Sequence, residues 1–132
     1  MLVAADTDVV VRLLVSDDLV QQRAVVARLK RIEASNGRVL VSPVVLAEVA
    51  WVLESAYGYR REEVVAAIAA LVATPPFVAD EPGVVADTLA QAANHRVEMA
   101  DALVLAIARS RGATTLLTFD RKVLRLSGCV RP

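Results

Sequence analysis

Short apolar runs alternating with amphipathic stretches predict an α/β domain, in which a mainly parallel central sheet is flanked by helices on both faces. Three observations carry this expectation. Apolar runs at residues 2–5, 38–41, 77–79, 114–118 and 128–130 are each separated from the next by helical sequence or a long turn. No two of them lie close enough for a tight hairpin. A chain of 132 residues, 56% of them apolar, with a mean hydropathy of +0.50, has the size of one domain and the material for a sizeable core. Disorder is excluded on the same figures. There is no repeat, linker or low-complexity segment, so residues 1–132 read as a single domain.

Each element has its own local cause. Leu2-Val3-Ala4-Ala5 reads as a buried strand that opens into a turn at Asp6. Residues 8–15 look helical, with a break at Ser16-Asp17-Asp18. Residues 19–34 place Leu19, Val25, Val26 and Leu29 on one side and Gln22, Arg23, Arg28 and Lys30 mostly on another. Asn36-Gly37 supplies the C-terminal stop, and a strand follows at residues 38–41. Ser42-Pro43 is an N-cap with proline at the first helical position, which starts a helix over residues 44–56 that stops near Gly58. Residues 61–73 form the next helix, ended by Thr74-Pro75-Pro76. A strand at 77–79, a helix from Pro82 to about His95, and a helix over 99–111 closed by Gly112 continue the alternation. A strand over 114–118, a helical turn over 120–126 and a last strand at 128–130 complete it.

Composition narrows the function classes. The longest apolar run, residues 64–73, is far short of the roughly 18 or more residues of a membrane span. The first basic residue is Arg12, so the opening apolar run lacks the charged start of a signal peptide. One cysteine, Cys129, excludes an internal disulfide and a cysteine-cluster metal site, and suits a reducing, cytoplasmic setting. Fifteen basic and fifteen acidic residues cancel, so no global field advertises a nucleic-acid partner. The distribution is uneven, however: Arg109, Arg111, Arg121, Lys122, Arg125 and Arg131 face only Asp120, a formal +5 over the last stretch. That stretch reads either as a basic rim for phosphates or as solvated surface.

The carboxylates carry the chemical signal. In α/β sheets, ligands bind at the carboxyl ends of the strands. Asp6, Asp80 and Asp120 each follow a predicted strand, where aspartate is also an ordinary turn and cap residue. Glu48 is less ordinary, because its helical neighbours Val44, Val45, Trp51 and Val52 are all apolar. On a buried face it needs a partner, a metal ion or a raised pKa, and a structural salt bridge explains it as well. Asp101 repeats the pattern among Val97, Val104 and Leu105, with an N-cap as its plain alternative. So much like charge in one core is relieved most simply by a divalent cation. All-oxygen ligands select Mg²⁺ or Mn²⁺ over zinc. His95, the single histidine, sits at a helix end without the partners of a zinc site or a catalytic triad. No glycine-rich phosphate loop is present.

Ala5-Asp6-Thr7-Asp8-Val9-Val10, Leu46-Ala47-Glu48-Val49, Ala100-Asp101-Ala102-Leu103 and Leu117-Thr118-Phe119-Asp120 resemble, in order, the four acidic motifs of PIN-domain ribonucleases. The segment from Ser42 to Leu53 looks most like the VapC-type toxins of bacterial toxin–antitoxin pairs, and the resemblance runs over essentially the whole chain. It implies a PIN-like three-layer fold and a Mg²⁺- or Mn²⁺-dependent endoribonuclease. Asp6, Glu48, Asp101 and Asp120 would then be the catalytic, metal-binding carboxylates, and Thr118 the hydroxyl that helps place the metal or its water. The family usually has asparagine where this chain has Asp8, which keeps the shape, removes an amide donor and adds a further candidate metal ligand. Arg109, Arg111, Arg121, Lys122 and Arg125 are the candidate RNA-phosphate contacts. The resemblance also implies a homodimer and a small antitoxin partner. Apolar residues on helices 19–34 and 64–73 suit such interfaces, and suit core burial equally.

Three rival readings stand beside this one. Asp6-Thr7-Asp8-Val9-Val10 also fits the first motif of haloacid-dehalogenase-type phosphatases, with Asp6 as nucleophile, but this leaves Glu48 and Asp101 unexplained. A phosphoacceptor receiver domain fits poorly, because Lys122 lies beyond Asp120 on a helical turn. A PIN-like binding module that holds RNA or an antitoxin peptide without turnover is kept open by Asp8.

Overall fold

The computed structural model describes residues 1–132. In chain order it contains β1 (Leu2–Ala4), α1 (Thr7–Leu14), α2 (Leu19–Ala34), β2 (Arg38–Val41), α3 (Pro43–Tyr57), α4 (Arg61–Val72), β3 (Phe77–Ala79), α5 (Pro82–His95), α6 (Met99–Ser110), β4 (Leu116–Leu117), a 3₁₀ turn (Val123–Arg125) and β5 (Cys129–Val130). The α/β alternation is as the sequence dictates, and every strand pairing is parallel.

The sheet departs from the single one expected. β1, β2 and β3 pair in that order, with Val3 opposite Val39 and Leu40 opposite Val78. β4 and β5 form a separate two-stranded ladder. The expected strand at 114–118 shrinks to Leu116–Leu117 because left-handed Gly112 ends α6 on one side (φ +88°) and an aspartate turn claims the chain on the other. There the Thr118 hydroxyl accepts from the Asp120 amide at 3.0 Å. The helical turn expected over 120–126 is likewise only a short 3₁₀ segment.

Caps fix the helix ends that aim the acidic residues. Asp6 caps α1, its Oδ1 accepting from the Thr7 amide at 2.7 Å. Ser42 caps α3 through the Val45 amide, with Pro43 at the first position, and left-handed Gly58 closes that helix. After α2 the left-handed residue is Asn36 (φ +57°) rather than Gly37. Gly37 is required for a different reason: a Cβ there would stand 2.8 Å from Ile32 Cγ2 and 3.0 Å from the Ile32 carbonyl. Asp101 is not an N-cap, since Glu98 holds that place and Asp101 lies in the first turn of α6.

A core cluster of 23 buried residues gathers apolar side chains from the first strand to the last, with Val10, Val41, Val49, Leu53, Val64, Ile68 and Val97 essentially sealed. Burying each such side chain contributes about 1.5–3 kcal/mol. On α4, Val64, Ile68 and Leu71 are buried in this core, while Val65 and Val72 are only half-buried. On α2, by contrast, Leu19 and Val20 stay exposed. No helix is long and apolar enough to cross a membrane.

Candidate active site

Asp6 leaves the carboxyl end of β1 and Glu48 lies on α3, which leaves the carboxyl end of β2. The Thr7 hydroxyl donates to Glu48 Oε2 at 2.7 Å, while its own amide donates to Asp6, so one threonine ties the two acids together. Asp6, Thr7, Asp8 and Glu48 line one open groove with Val11, Arg12, Val52 and Tyr57, of about 360 Å³. Glu48 is exposed, against the expectation of a buried face, and its helical neighbours Val44 and Trp51 are themselves 63% and 66% exposed. Val45 and Val52 are half-buried against the core, but Glu48 itself is exposed, so burial does not force a partner on it.

Asp101 is the acid whose environment is strained. It is half-buried, and burial pushes its carboxyl above the ordinary range, with Asp120 and then Glu98 adding like-charge repulsion. Arg61 and Lys122 offset this in part. Arg61 also donates to Glu54 at 2.5 Å and to the Val97 carbonyl, which fastens α3 and α4 to the turn that starts α6. Asp120 is exposed, and its Oδ1 accepts from the amides of Lys122 and Val123. Thr118 orients this turn rather than any other group.

The basic residues divide. Arg109 pairs with Asp87 at 3.5 Å and donates to the Ser127 carbonyl, and Arg111 stands 3.9 Å from Glu81. Arg109 is also eight residues along α6 from Asp101, about 12 Å at the helical rise. Arg121, Lys122 and Arg125 are exposed and make no ion pair. Lys122 acts on Asp101, favouring its ionised form. His95 is exposed at the end of α5, an ordinary surface position.

The structure therefore groups Asp6, Asp8 and Glu48 in one groove, and Asp120 repels the half-buried Asp101 carboxylate. No three of these side chains converge within chelating distance. The donor set fits a hard divalent cation in its chemistry, being all carboxylate and hydroxyl oxygen, and the repulsion at Asp101 is the kind a cation relieves. Sequence reasoning passed over Thr7, Arg12 and Tyr57. Thr7 between two acids was a visible signal; Tyr57, far along the chain from Arg12, gave none.

The family model for the PIN domain matches residues 3–128. The chain belongs to the PIN-domain family. PIN domains are generally nucleases and typically use divalent metals such as Mg²⁺, and the parallel α/β architecture agrees with that membership. It leaves no place for the phosphatase or receiver readings. No curated protein matches this PIN-domain chain closely enough to count as a relative.

Proposed function

We propose that this PIN-domain protein is a Mg²⁺- or Mn²⁺-dependent endoribonuclease that serves as the toxin of a toxin–antitoxin pair. The observation that carries the reading is the convergence of Asp6, Asp8 and Glu48 on one groove at the carboxyl ends of β1 and β2 in a chain of a nuclease family. Asp6, Glu48, Asp101 and Asp120 would hold the cation, with Asp8 as a further ligand. When bound, a divalent cation supplies an acidified water and stabilises the departing oxygen of a phosphodiester. The chain's own part is positional: Thr7 fixes the Glu48 carboxylate, Thr118 fixes the Asp120 turn, and Arg61 fixes the start of α6. Arg121, Lys122 and Arg125 serve flanking phosphates, whereas Arg109 and Arg111 are occupied elsewhere.

The same reading carries a cytoplasmic setting, a small antitoxin that covers the groove, and a homodimer. Val44 and Trp51 on α3 with Val104 and Ile107 on α6 are exposed apolar residues that support an interface.

A second reading, a binding module without turnover, is favoured by the lack of three acids within chelating distance and by Asp8. The deciding experiment is cleavage of total cellular RNA by the purified protein with Mg²⁺, with Mn²⁺ and with EDTA, beside Asp6→Asn and Asp101→Asn. Metal-dependent cleavage lost in both variants supports the nuclease. RNA binding without cleavage replaces it with the binding module.

A further inference from the structure

The groove does not end at the acids. Beside Asp6, Asp8 and Glu48 it is lined by Val11 and Val52 and by Arg12 and Tyr57. Arg12 follows Asp8 by four residues on α1, about one turn or 6 Å along the helix. It is the one cation that lines the groove. Its guanidinium is held: Nε donates to Gln21 at 2.6 Å, and Nη1 donates to Asp17 and to the Tyr57 hydroxyl. None of these bonds uses Nη2, so two of the five donors of a fixed fork are left over. Tyr57 in turn donates to Asp17 Oδ2 at 2.5 Å, which anchors its hydroxyl and leaves the ring as groove wall.

Acids, apolar side chains, an aromatic ring and a spare guanidinium nitrogen in one groove match the parts of one nucleotide. The acids lie where a cut phosphate would sit, half-buried Val52 and the Tyr57 ring offer a face to a base, and Arg12 offers donors to the next phosphate. A shallow groove open along one side suits an unpaired strand, whose bases are free to stack on side chains. We propose that Arg12 and Tyr57 form a seat for the nucleotide adjoining the cut phosphate of single-stranded RNA, a proposal that rests on the ribonuclease reading of the neighbouring acids.

The competing explanation is that Arg12, Asp17 and Tyr57 only latch α1 to α3 and to the start of α2. Phenylalanine at position 57 breaks the latch and keeps the ring; leucine breaks both. The test is fluorescence anisotropy with a short, labelled, 2′-O-methylated single-stranded RNA, using the full chain, Tyr57→Phe, Tyr57→Leu and Arg12→Gln, with a thermal melt of each. Tyr57→Leu is expected to weaken binding roughly tenfold to hundredfold, and Tyr57→Phe by no more than about twofold. Arg12→Gln is expected to weaken it and to lower the salt slope by about one. Equal weakening in both tyrosine variants, or none in either, overturns the seat. Cleavage of unmodified RNA by the wild type is followed in parallel. Cleavage with a flat binding pattern removes the seat alone, while the expected binding pattern without cleavage removes the nuclease and keeps the seat.

Discussion

Thr7 Oγ1 donates to Glu48 Oε2 at 2.7 Å across 41 residues of chain, and this bond joins the first turn of α1 to the middle of α3. Both residues sit at the groove surface, so the bond contributes little to folding, on the order of 1 kcal/mol or less. Its effect falls on the carboxylate. Thr7→Val is expected to leave the melting temperature nearly unchanged while reducing RNA cleavage roughly tenfold or more, as loss of a support behind a metal ligand does. Thr7→Ser, which keeps the hydroxyl, is expected to retain activity. Cleavage assays and melts on the same preparations check both.

Asp101 gives a pH-dependent signature in metal-free protein. Its carboxyl lies above the ordinary value of 3.8 because of burial first, then Asp120, then Glu98. The ionised form therefore opposes folding. That cost is fully present above the raised native value and fades as pH falls through it towards 3.8. In EDTA, Asp101→Asn is expected to melt above the wild type at neutral pH, with the gap closing on acidification over that window. Melting curves across the acid range check it; a gap that widens instead would refute the strain at this residue.

Asp17 has the opposite sign. The Tyr57 hydroxyl, more than Arg12, holds its carboxyl below the ordinary 3.8. The stability this contributes is present above 3.8 and is lost as pH falls through the lowered native value. Tyr57→Phe is expected to unfold at lower urea than the wild type at neutral pH, and at the same urea once the pH is well below 3.8. Urea titrations at several pH values measure the convergence.

Two glycines make a matched pair. At Gly37 an added methyl meets Ile32 Cγ2 at 2.8 Å, the Ile32 carbonyl at 3.0 Å and the Met1 carbonyl at 3.3 Å. Gly37→Ala is expected to destabilise by about 1–3 kcal/mol. Gly83, in the first turn of α5, has nothing within 4 Å, and Gly83→Ala is expected to stabilise by about 0.5–1 kcal/mol. Chemical denaturation separates the two in sign.

Local chemistry made most of the fold readable. The helix from Leu19 to Ala34 and the strand from Arg38 to Val41 follow from periodicity and a stop signal, and the structure keeps both bounds. The strand near residue 116 was overextended because apolar and β-branched residues do not reveal that Gly112 and the Thr118–Asp120 turn take the flanking backbone. Glu48 shows a different limit. Periodicity told that it shares a side with Val44 and Trp51, but not that this side faces outward. Asp101 stands on the strained, half-buried face that its neighbours indicated. Contacts between distant residues, such as Tyr57 with Asp17, depend on how the helices cross and leave no trace in either segment alone.

The order of the strands has a consequence for how the protein is made. β1, β2 and β3 pair in sequence order, and the last backbone bond onto β2 is from the Asp80 amide to the Val41 carbonyl, so the three-stranded sheet is complete by residue 80. Asp6 and Glu48 thus belong to a part of the chain that leaves the ribosome before Asp101 and Asp120. A half-made chain carries one set of acids without the other.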